Sequence, residues 1–108
     1  MMWIFTDKGF LSIVQHKDIP DFFQVKSRTR SPLEMLWPEH DVEVIDWADY
    51  RFRISIRKDL VTPVLVGLLE EVLYTSFKNE CHDDLEYYYA LCRIWTTMYN
   101  FQAKMERT

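Results

Sequence analysis

The sequence predicts an α+β domain. It is an antiparallel sheet of about four strands, ferredoxin-like or related, with two long C-terminal helices packed on one face. Three observations predict this. Residues 1–58 alternate in strand fashion and are punctuated by turn residues. Residues 59–108 follow a helical period instead. The two kinds of element are segregated along the chain, which favours a meandering sheet covered on one side.

The elements follow in order. Residues 3–5 and 9–16 read as the first strand region, folded about a tight turn at Thr6, Asp7, Lys8 and Gly9, where glycine supplies a positive φ. After a loop marked by Asp18, Pro20 and Asp21, residues 22–30 form the second. Ser31 and Pro32 read as an N-cap and first helical position. The helical turns at 33–37 stop before Pro38. Residues 42–47 are a third strand region. Residues 50–58 are a fourth, with Tyr50, Phe52, Ile54 and Ile56 alternating against Arg51, Arg53, Ser55 and Arg57. The turn at 46–49 makes these two a hairpin.

A helix then starts at Asp59 or at Thr62-Pro63 and ends near 74–77. Its apolar stripe is Val61, Leu65, Leu68, Leu69, Val72 and Leu73. The last helix spans about 83–105, with Leu85, Tyr88, Cys92, Trp95, Tyr99 and Gln102 on one stripe. Asp83, Asp84 and Glu86 at its start suit the helix dipole.

The 108 residues fit one domain, 1–108, with a core built largely from aromatic rings, which make up 16% of the chain. The only two glycines, Gly9 and Gly67, stand too far apart for a P-loop or a GxSxG elbow and are too few for a GxGxxG turn. Cys81 and Cys92 form no CxxC pair and read as reduced, half-buried thiols of a cytoplasmic protein. The apolar start at Met1 is broken by Asp7 and Lys8, too soon for a signal peptide. No apolar run approaches the roughly 20 residues that span a bilayer, so no membrane partner is expected. The net charge of −4 is uneven. Residues 1–58 balance to zero, and residues 59–108 hold four basic against eight acidic side chains.

Several short motifs carry a resemblance. Met2-Trp3-Ile4-Phe5-Thr6 with Gly9-Phe10, then Asp49-Tyr50-Arg51-Phe52-Arg53, then Trp95 with Tyr99 and Gln102 resemble a family of small bacterial conserved hypothetical proteins. The resemblance covers nearly the whole chain. It implies a bacterial or phage-like intracellular origin and no particular mechanism.

The candidate site is cationic. Lys26, Arg28 and Arg30 share one side of the second strand region, and Arg51, Arg53 and Arg57 one side of the fourth. If both sides lie away from the helices, six cations crowd one face. Like charges on neighbouring strands repel, so an offsetting anion is expected. It could be local carboxylates such as Glu43, Asp46 and Asp49, a nucleic acid or nucleotide, or an acidic protein surface. Exposed aromatics for stacking, here Phe10, Phe22, Tyr50 or Trp47, accompany cations in single-strand binders, whereas the acidic total charge argues against a strongly attracting field. Lys78 with Tyr74 and Arg51, oriented by Asp49, forms a further candidate anion site.

Other constellations are weaker. Glu80, Cys81, His82, Asp83 and Asp84 are adjacent, so their side chains diverge, and no second His/Cys pair stands at metal spacing. No metal and no cofactor is expected. Cys92 on the apolar stripe reads as an inert core thiol. The run Tyr87-Tyr88-Tyr89 cannot be buried on one helix face, so at least one ring is left for a contact surface, most simply self-association as a homodimer. The expectation is therefore a non-enzymatic binding or regulatory domain for an anionic partner. The alternatives are a single-strand or nucleotide binder and a small enzyme acting on an anionic substrate.

Overall fold

A computed structural model describes residues 1–107. The element order is β1 (Met2–Thr6), β2 (Gly9–Gln15), β3 (Phe22–Ser27), α1 (Ser31–Leu36), β4 (Glu43–Val44), β5 (Phe52–Arg57), α2 (Lys58–Glu70), α3 (Phe77–Glu80) and α4 (Leu85–Glu106). The chain divides into two compact units, Met1–Leu73 and the residues from Tyr74 onward.

The first unit is a five-stranded antiparallel sheet in the order β1-β2-β3-β5-β4. The first strand region is two strands joined by the expected turn, which raises the count from four to five. Gly9 has φ +133° and lies so close to Pro32 that a Cβ would come within 2.3 Å of the proline Cγ. Thr6 closes the turn, donating from Oγ1 to the Gly9 carbonyl at 2.8 Å and accepting from the Lys8 N–H at 3.0 Å. After β3 the chain crosses to the far edge as β4 and returns as β5 into the slot beside β3. This is a meander with one displaced edge strand and not the interleaved ferredoxin-like order.

Alternation decides which residues the helices cover. In register, Ile13 faces Val25 and Val25 faces Ile54. These join Leu11, Ile56, Leu33, Trp37 and Val61 in one buried cluster, with Ile4, Phe23, Phe52, Val64 and Leu65 packed around it. Helices α1 and α2 therefore lie on this inner face. The Trp37 indole N–H donates to the Leu60 carbonyl at 3.0 Å, tying the end of α1 to the start of α2.

Several boundaries differ from the sequence reading. Ser31 is the first residue of α1 and not its cap. The Arg30 carbonyl instead accepts from Leu33 and Glu34. The third strand region shrinks to Glu43–Val44, because the chain turns from Asp46 on. Helix α2 follows β5 without a loop, so Pro63 is interior to it, removing one helical hydrogen bond. The helix also ends at Glu70, and both Leu69 within it and Leu73 beyond it are exposed rather than part of a buried stripe.

In the second unit α4 begins after Asp84, whose side chain caps it by accepting from the Tyr87 N–H. Cys81 and Leu91 are buried. Cys92 is half-buried, as expected for both cysteines, and not the core thiol that its stripe suggested, whereas Cys81 is buried rather than half-buried. No helix among the described residues is long and apolar enough to cross a membrane.

Candidate functional site

The outer face of the sheet, opposite α1 and α2, carries the candidate site. Pairing register assigns its residues without ambiguity, since directly opposed residues share a face. One row runs Trp3, Ser12, Lys26, Arg53, Glu43 across all five strands. Phe5 and Phe10 pair beside it, and Gln24 and Ser55 on its other side.

The six strand cations do not act together. Arg30 turns toward the helical side, where it pairs with Glu34 at 2.9 Å and lies over the Phe52 ring. Residues 28–30 lie beyond the end of β3, so strand alternation no longer holds there. Arg51, just before β5, is paired with Asp46 at 2.7 Å. Arg57 lies in register with Phe22 on the outer face but is paired with Asp59. Arg28 reaches Asp49 at 3.8 Å and stands 4.4 Å over the Tyr50 ring. Local carboxylates thus neutralise four of the six. Lys78 belongs to the second unit, with its ammonium 4.9 Å from the Trp95 ring centroid.

Lys26 and Arg53 are different. They are direct cross-strand neighbours, and neither has a carboxylate within ion-pair distance among the described residues. Partial burial lowers the Lys26 pKa from 10.5, the adjacent Arg53 charge lowers it further, and Asp49 opposes both. Arg53 donates from Nη2 to the Tyr50 carbonyl at 2.9 Å, while its Nε–H is buried without a partner. Ser12, on the other side of Lys26, is 1% exposed and its hydroxyl also has no partner. A buried polar group without a hydrogen bond costs about 1–3 kcal/mol. Two such groups flank one unpaired ammonium in one cross-strand row.

An aromatic cluster borders this row. Phe10 lies 4.9 Å from Phe5, 6.1 Å from Trp3 edge-on and 6.0 Å from Tyr50 in a stack. Trp3 remains 58% exposed. Tyr50, assigned by alternation to the apolar series, turns outward because the chain leaves the strand before Phe52. The sequence reading missed Ser12, Trp3 and Phe5. The signal was present in the alternation of residues 3–5 and 10–12, but treating both as one strand hid their shared face.

Among the described residues no three His, Cys, Asp or Glu side chains are placed to hold a metal ion. No family model matches the chain, and neither a curated protein nor a solved structure matches it.

Proposed function

We propose that this chain is a binding module that takes an oxyanion, phosphate-like in chemistry, on the outer face of its sheet. The observation that carries the reading is the row Ser12, Lys26, Arg53. It holds a hydroxyl, an ammonium and a guanidinium N–H, two of them buried and unpartnered. All three are hydrogen-bond donors that the oxygens of a phosphate-bearing anion can satisfy, and charge-assisted bonds of this kind are about twice as strong as neutral ones. Donors alone bind and orient an anion; they supply neither a base nor an activated nucleophile, which favours a binding role over turnover. The two cysteines form no CxxC pair, in keeping with a reducing, cytoplasmic setting of the kind the bacterial resemblance implies. Titration with pyrophosphate at low salt tests the reading. Binding is expected to weaken about tenfold or more in Lys26→Gln and in Arg53→Gln and to be retained in Arg57→Gln, whose charge is already engaged. Equal binding by all four proteins, or none by the natural chain, refutes it.

A second reading rests on α4. Leu91, Trp95, Met98, Gln102 and Met105 follow a 4-3-4-3 spacing, the seam of a helix that packs along its length. Leu91 is buried, while Trp95, Met98 and Met105 are each more than half exposed. A second copy of the chain would cover this seam in a homodimer. Light scattering on a size-exclusion column decides between that dimer and a 13.2 kDa monomer.

A further inference from the structure

We infer that the anion taken on the outer face is the backbone of a short single-stranded nucleic acid, with a base stacked on Trp3. This rests on the oxyanion reading above and deepens it. Exposed aromatic surface lies in one row with the unpaired cations. Trp3 stands in the same cross-strand row as Ser12, Lys26 and Arg53, at the β1 end. Its indole is 58% exposed and buttressed edge-on by Phe10, which Phe5 and Tyr50 hold in turn. A half-exposed ring fixed by three others is a platform of defined orientation. An isolated surface tryptophan would not be.

Spacing selects a strand over a mononucleotide. Neighbouring strands lie about 4.8 Å apart, so Trp3 is about 10 Å from Lys26 and about 14 Å from Arg53 along the row. A base on Trp3 leaves its own phosphate near Ser12 and Lys26, and Arg53 then meets the next phosphate along the chain. The engaged Arg28, held over Tyr50 by Asp49, closes the row on the side toward the β4–β5 turn. The chain's net charge of −4 sets the scale. With two free cations the contact is short and local, without a long-range attracting field. The logarithm of affinity should fall with the logarithm of salt with a slope of about −1.4 for two phosphates on a single strand, against about −0.7 after one cation is removed.

The test is tryptophan fluorescence and anisotropy with four probes at low salt: an eight-nucleotide oligo-dT, an abasic eight-unit strand, adenosine monophosphate and inorganic tripolyphosphate. Expected are binding of oligo-dT above the other three, a salt slope near −1.4 that halves in Lys26→Gln, and a loss of about 5- to 150-fold in Trp3→Ala. Trp3 is an exposed edge residue, so that variant keeps its fold, and its unchanged melting temperature verifies this. If oligo-dT, abasic strand and tripolyphosphate bind alike and Trp3→Ala changes nothing, the nucleobase inference is overturned and the oxyanion reading stands. If adenosine monophosphate binds as tightly as oligo-dT, the ligand is a free nucleotide and the strand is refuted. If no probe binds, both readings fall.

Discussion

Replacing Lys26 by Gln should stabilise the fold while weakening anion binding. Lys26 and Arg53 are like charges directly opposed on β3 and β5. Such pairs are destabilising by about 0.2–1 kcal/mol. Asp49 offsets part of this, since it raises the Lys26 pKa against burial and Arg53. The expected gain at pH 7 is therefore about 0.5 kcal/mol, a rise in Tm of about 2–4 °C for a domain of this size. The pH dependence has a defined sign. The folded chain holds the Lys26 proton less tightly than the unfolded chain, whose ordinary value is 10.5. Below the lowered folded value the full penalty is present. Between that value and 10.5 the unfolded state binds more protons, so stability rises with pH. The natural chain should gain on Lys26→Gln through that window, and the gap should close above it. Urea unfolding of both proteins at pH 7 and near pH 10.5 measures this. A variant less stable than the natural chain by 1 kcal/mol or more at pH 7 would mean that Lys26 sits in a favourable pair, and the reasoning would fail.

Other perturbations test the frame of the site. Gly9→Ala should destabilise by at least about 1–3 kcal/mol, because φ is +133° and the new methyl would meet the Pro32 ring; chemical denaturation with an unchanged m-value reads it. Leu11→Ala, which empties a fully buried position on the inner face, should cost about 2–5 kcal/mol by the same assay. Met98→Glu should convert a homodimer to a monomer in light scattering without altering helix content, and an unchanged mass would remove the α4 seam from self-association.

The fold was legible wherever alternation or a steric requirement acted locally. The turn at Gly9, the Phe52–Ile56 alternation in β5 and the acidic start of α4 each needed only neighbouring residues. The crossing from β3 to the far edge was not legible, because strand order is set by tertiary pairing. The site was legible in part. Lys26 and Arg53 were on the correct side, and Arg28 and Arg57 share their face. Whether a cation is free depends on carboxylates outside the strand: Glu34 on α1, Asp46 and Asp49 in the turn, and Asp59 on α2. Periodicity says nothing about those distances. Ser12 escaped notice because a serine in a strand carries no signal until its neighbours in register are known to be Trp3 and Lys26.

The side-chain Nε–H resonance of Arg53 tests the central claim most directly. It is buried and without a partner in the absence of ligand. On titration with pyrophosphate it should move downfield together with the backbone amides of Ser12 and Lys26, while the Nε–H signals of Arg30 and Arg57 stay in place. Movement at Arg30 or Arg57 with Arg53 unmoved would place the anion elsewhere and contradict the account.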